Sequence, residues 1–308
     1  MTSIITSVFL KKFLIFFVII SFSSYTAYTQ TLSQWSQLVN WDGVSHWSRY
    51  IRTFPAYQGP NALPVPTVGN GSIDSSFFIG VTGNFHFSKG DNTQNLRLYA
   101  NYCVVKDIIS MDIFWVPTEY YSTSHEIKEE RRIYPQFYND KQGEGELHLN
   151  TNFQLLKKWR KYIHLALRIG YRFPSGSGFG AARDVDAPGY YFDLSFGKPI
   201  NHTSLTWTGM LGFYSWQIES DKNNQDDALL LGMGLEWNKN SWKIKSNIAG
   251  YWGYLKDSGD KPVVCRFNLE KKIKHFGVLL NFQQGLHDFR YSTVEAGVKY
   301  EIGKKVKH

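Results

Sequence analysis

From residue 72 to the end the chain alternates between oily and polar positions with a period of two. Over 276–284, Phe276, Val278, Leu280 and Phe282 share one face. Over 289–302, Val294, Ala296, Val298, Tyr300 and Ile302 oppose Thr293, Glu295, Gly297, Lys299 and Glu301. Ile163, Leu165, Leu167 and Ile169 alternate with His164, Ala166, Arg168 and Gly170, and Leu229, Leu231, Met233, Leu235 and Trp237 alternate in the same way. Successive side chains of a strand point to opposite faces, so each segment reads as a strand with one apolar and one polar or small face. Twelve such segments are predicted: 73–88, 95–106, 109–121, 144–156, 161–173, 189–198, 203–217, 227–237, 241–255, 262–271, 276–284 and 289–302. No helical period of comparable length interrupts them. The fold class is all-β, with an irregularity expected at Pro117, because proline cannot donate to a ladder.

Segment length separates a membrane barrel from a soluble sandwich. Strands of about 9–11 residues suit a tilted bilayer crossing, whereas soluble strands average about 5–6. The connections also alternate: those after odd-numbered strands include the long stretches 122–143 and 174–188, and those after even-numbered strands are short. Short turns at one end and long loops at the other are expected of an outer-membrane barrel, and an even strand number puts both ends of the barrel on the short-turn side. Over 73–302 the chain resembles bacterial outer-membrane β-barrel proteins as a class. That resemblance implies a single antiparallel barrel in the outer membrane of a Gram-negative bacterium, with outer-membrane lipids and the insertion machinery as partners. Members of the class often end on an aromatic residue that the machinery reads; here Tyr300 is followed by Glu301, Ile302 and the tail GKKVKH.

Composition adds the compartment. Lys11 and Lys12 precede the apolar run FLIFFVIISF and the small, polar SSYTAYTQ, the pattern of a secretory signal over 1–29. Cleavage is placed near Thr29, with Ala27 the other candidate. Aromatic residues make up 17% of the chain and charged residues only 19%, which suits a barrel that is oily outside and polar inside. The net charge is +8, or +6 once Lys11 and Lys12 leave. A basic chain can bind nucleic acid, but the export signal and the scatter of the basic residues argue against it. Strand parity points Cys103 inward and Cys265 outward, so they cannot bridge; both are read as packing residues. The short turns are basic (157–161, Lys198, Lys239, 271–275 and the tail 303–308), as expected next to anionic lipid heads.

Inside a twelve-stranded barrel the lumen is narrow. Parity places Arg97, Asp112, His148, Arg168, Arg172, Asp193, Glu236, Lys243, Lys245, Arg266, Glu270, Glu295 and Lys299 there. A continuous basic wall raises the local concentration of anions, and Arg97, Arg168, Arg172, Lys243, Arg266 and Lys299 are the candidate lining of a path for small solutes. The same mixture of charges also fits a salt-bridged, closed interior. In the loop 174–189 the pair Asp184 and Asp186 supplies too few oxygen ligands to establish a cation site, and neither a metal nor a cofactor is expected.

The segment 30–72 is unlike the rest. Trp35, Trp41 and Trp47 recur every six residues, and Pro60, Pro64 and Pro66 follow Pro55. A short amphipathic helix capped by Asp42 or Ser45 is expected, followed by a semi-rigid extended path. This segment is read either as a plug entering the lumen from the short-turn side, or as a docking element or linker on that side. Three functions follow: a narrow channel for small solutes, anions among them, without bond chemistry; a closed structural or binding barrel; and a barrel enzyme resembling the outer-membrane phospholipases. The last would resemble a serine hydrolase with Ser and His on the membrane-facing wall. Here His86, His148 and His164 fall on the lumen face, and no catalytic residue is assigned.

Overall fold

In the computed structural model, residues 30–159, 163–218, 223–255 and 258–302 are described. The expected signal at 1–29 and the basic tail at 303–308 lie outside them, as do parts of the basic 157–161 turn.

Twelve antiparallel strands form one closed meander: β1 (Phe78–Ser88), β2 (Asp91–Val105), β3 (Ile109–Thr123), β4 (His148–Trp159), β5 (Ile163–Arg172), β6 (Gly189–Pro199), β7 (Leu205–Gln217), β8 (Gln225–Lys239), β9 (Trp242–Gly253), β10 (Val263–Ile273), β11 (Phe276–His287) and β12 (Ser292–Glu301). Each pairs with its sequence neighbours, and β1 closes on β12 from Phe78 opposite Glu301 to Phe87 opposite Ser292. The two-residue strand Gln142–Gly143 extends the edge of β3 above β4. The expected irregularity near Pro117 is a register shift between β2 and β3 at Leu96/Leu98, where β3 passes from Trp115 to Thr118. Cys103 faces inward and Cys265 outward, both free.

The period-two pattern is converted into an inside and an outside. On β6, Tyr191, Asp193 and Ser195 are buried, while Tyr190, Phe192, Leu194 and Phe196 are exposed. On β8, Leu229, Leu231, Met233 and Leu235 are exposed, and on β11 so are Phe276, Val278, Leu280 and Phe282. A continuous oily outer surface of this extent has no counterpart on soluble monomers and marks a face for lipid.

Three strand starts differ by four residues or more from the pattern-based expectation, the fourth segment beginning at His148 rather than 144. The first begins at Phe78 rather than 73, because the amide of Asn101 holds the carbonyls of Asp74 and Ser76 and keeps that stretch off the ladder. The second begins at Asp91 rather than 95, because Gly90 adopts a positive φ of 77° and lets the chain reverse within two residues.

The larger correction concerns the N-terminal segment. It does not enter from the short-turn side. Residues 30–54 sit at the long-loop end, and the chain then descends through the lumen and leaves at the short-turn end to start β1. Helix α1 (Leu32–Val39) is capped by Thr31, not by Asp42 or Ser45. Thr31 Oγ1 accepts from Gln34 N at 3.3 Å and Gln34 Oε1 accepts from Thr31 N at 2.9 Å, a reciprocal capping box. Asp42 instead accepts from the amides of Val44 and Ser45 and fixes a turn. Beyond the short turn Pro55–Tyr57, the prolines lock φ and push Gly59, Leu63 and Val65 toward extended backbone. The result is a strap over 58–72.

The interior has two characters. Leu63, Val65 and Val68 of the strap pack with Tyr191, Met210, Tyr214, Trp216, Leu230, Ala249, Tyr251 and Val264 from β6–β10 into one buried cluster. The wall made by β1, β2 and β12 is polar: Asn84 donates to Asn95, Asn95 bonds His86, and His86 bonds Thr293.

Candidate functional site

The occupied lumen is the candidate site, and it has three levels. At the long-loop end, two loops fold inward on a charged knot. Asp91 at the start of β2 receives Arg131 at 2.5 Å, from the helix α2 (His125–Arg131), and Arg183 at 2.8 Å, from the loop before β6. Arg183 also donates to Glu119 at 3.2 Å, to Thr93 at 2.9 Å and to Thr123 at 3.0 Å, and its guanidinium lies 3.8 Å from the centre of the Tyr121 ring. Tyr291 donates to Asp91 and accepts from Arg131. Asn61 of the strap completes the shell of Glu119. All four charged groups are buried, and two cations balance two carboxylates, the condition under which such a cluster is tolerated.

The tryptophans predicted for the plug sit above this knot, not in the lumen. Trp35 is fully buried, donates to the carbonyl of Arg132 at 3.1 Å and meets Tyr134 edge-on at 5.1 Å. Trp41 packs on Trp35, and Trp47 stacks on Tyr134 at 4.8 Å beside Phe137 and Phe179. The three form a head that joins the first described residues to both inward loops. Pro60, Pro64 and Pro66 are the part of the segment that lies in the lumen.

At mid-height the strap is held by its carbonyl groups. Tyr251 donates to Leu63 O at 3.0 Å, Arg266 to Val65 O at 2.6 Å and Pro66 O at 3.2 Å, Arg168 to Thr67 O at 2.8 Å, and Lys245 to Val68 O. Lower down, Gln154 donates to Gly71 O at 2.7 Å and Asn70 donates to Glu236 at 3.0 Å. The wall makes room by lacking side chains: a Cβ at Gly197 would stand 2.0 Å from the Asn70 carbonyl oxygen. Gly71, at φ 75°, likewise leaves no space for a Cβ, which would meet His164 O at 2.4 Å. The barrel ladder is complete without the strap, which adds no strand to it.

The six candidate lining residues all lie at inward positions, and each has a partner. Arg168 pairs with Asp193 at 2.7 Å, Arg172 with Glu146, Arg97 with Glu295 at 3.6 Å, Lys243 with Glu236 at 3.3 Å and Lys299 with Glu270 at 2.7 Å. Arg266 is bound to strap carbonyls and to Gln283 at 2.6 Å. Arg97, Lys299, Glu270, Glu295, Asp112 and Asp74 line a cavity of about 390 Å³ that opens at the short-turn end below the strap. Lys245, Tyr251 and Gln154 were missed as strap contacts, although inward parity had already put Lys245 beside Lys243. Arg131 and Arg183 were missed because a loop carries no parity to say that a charge points inward.

No protein-family model matches the chain, and no curated protein matches its sequence. Among solved structures, it is similar to an outer-membrane channel from Pseudomonas putida F1, with a TM-score of 0.51 and 10% identity over 79% of this chain and 97% of that one. The translocator domain of the autotransporter NalP from Neisseria meningitidis aligns at 0.42, with 9% identity over 75% of this chain and 90% of that one. CymD, a monoaromatic hydrocarbon channel, aligns at 0.40, with 7% identity over 77% and 90%. What the chain shares with the first of these is its fold, that of the outer-membrane β-barrels.

Proposed function

We propose that the protein lies in a bacterial outer membrane and is a channel for small solutes, held closed by its own N-terminal strap. The observation that carries this reading is that the strap fills the lumen without joining the sheet. Removing it breaks carbonyl bonds and an apolar contact, and leaves every strand pairing intact. The outward apolar belt supports residence in lipid, and the cavity at the short-turn end supplies the beginning of an aqueous path. We assign no bond chemistry: His86 is held between Thr293 and Asn95, and His148 stacks on Phe114 at 4.2 Å.

The test is single-channel conductance in a planar bilayer. The protein from residue 30 onward is compared with a version lacking 30–66 and with Gly197→Val, which keeps the chain whole but denies Asn70 its place. Little current from the intact protein and clear opening of both variants is the expected result. A second reading, a closed barrel acting through its loop end, draws on the buried Asp91–Arg131–Arg183–Glu119 knot. Silence from all three proteins, with folding verified by heat-modifiable migration on gels, would favour that second reading.

A further inference from the structure

Three cations converge on four consecutive strap carbonyls: Arg168 from β5, and Lys245 and Arg266 from the paired strands β9 and β10. They differ in what neutralises them. Arg168 has Asp193. Among the described residues, Arg266 and Lys245 contact no carboxylate; their acceptors are the neutral oxygens of Val65, Pro66 and Val68 and, for Arg266, the side-chain oxygen of Gln283. A cation out of bulk water gains most from an anion, since the attraction between opposite full charges grows as the local dielectric falls. A peptide carbonyl is therefore an adequate but second-best partner here. The strap suits the place for a second reason: Pro64 and Pro66 lack N–H groups, so it presents acceptors with fewer competing donors.

We propose that Arg168, Lys245 and Arg266 form an anion-binding site at mid-height in the lumen, and that the strap backbone is its resident stand-in. The ligand class is a linear, acceptor-rich anion, a short phosphate chain or a polycarboxylate, that displaces residues 65–68 by taking over the same donors. This deepens the channel reading by naming the solute class and the trigger, and it rests on that reading only for the claim that displacement opens a path.

The test uses the whole chain and needs no current. Val68 is buried against the wall, so a thiol there reports strap release. Cys103 and Cys265 are replaced by Ser, Val68→Cys is introduced, and its reaction with a maleimide is followed in detergent-folded protein. The added probes are sodium tripolyphosphate, tricarballylate, and NaCl at matched ionic strength. The expected result is a saturable acceleration, about tenfold, with one or both anions and none with NaCl; which anion acts tells phosphate from carboxylate. Lys245→Gln combined with Arg266→Gln keeps hydrogen-bond donors while removing charge, and should abolish the acceleration while the barrel stays folded. An unchanged rate, or one that follows ionic strength alone, overturns the proposal. Acceleration in a protein that passes no current would leave the anion site standing and remove the channel.

Discussion

Arg172 and Arg168 lie four residues apart on one face of β5, and parity alone gives them one role. The structure separates them. Arg168 reaches the strap, whereas Arg172 is fully buried against Glu146. Inward direction was legible in the sequence; height in the lumen, which decides the partner, was not. Arg183 shows the same limit from the other side. Nothing in the AARDVD stretch marks it as the residue that ties its loop to two strands, because its partners come from β2 and β3, about sixty to ninety positions away. Removing one member of a buried charge cluster leaves the others unpaired, at a cost of about 3–5 kcal/mol. Arg183→Met should therefore lower barrel stability by that amount, seen in urea unfolding of the protein in detergent. Arg290→Met, which removes a half-exposed pair with Glu130, should cost about 1 kcal/mol or less.

Among the elements, the strands followed from the alternation because a two-residue period is imposed by the backbone itself. The strap and the inward loops did not, since their shape is set by what they land on. One loop carries a pH dependence. Burial, with Glu146 and then Asp186 nearby, pushes the Asp184 carboxyl from its ordinary value up to about 7, against the lesser pull of Arg172 and its bond from the Asp186 amide. A carboxyl whose folded value is raised favours the docked loop fully below its unfolded value, about 4, and that support is lost as pH rises through about 7. Amide exchange at Val185 and Asp186, corrected for intrinsic rates, should therefore be faster relative to the rest of the chain at pH 8.5 than at pH 5.5. Asp184→Asn should flatten the difference; an unchanged profile would remove Asp184 as its source.

For the whole molecule, twelve strands and a closed cylinder were readable from segment length and connection rhythm. The direction of the N-terminal segment was not, because strand count fixes where β1 starts and says nothing of the chain before it. The proposed placement in an outer membrane with the long loops outward predicts residues 30–54 on the cell surface. Val44 is 90% exposed and Lys274 lies in the turn at the opposite end. In a background with Cys103 and Cys265 replaced by Ser, Val44→Cys on intact cells should react with a bulky polyethylene-glycol maleimide. Lys274→Cys should react only after the outer membrane is breached. The reverse pattern would invert the orientation of the barrel in the membrane.

That threading has a kinetic consequence. The strap is an axle through a ring, with a folded tryptophan head at one end and a covalent tether into β1 at the other. Dislodged, it has nowhere to diffuse. Its return is unimolecular, at an effective concentration that for short flexible linkers is in the millimolar range, and no dilution of the protein weakens it. If the barrel is the channel proposed above, opening is therefore sustained only while something holds the axle aside.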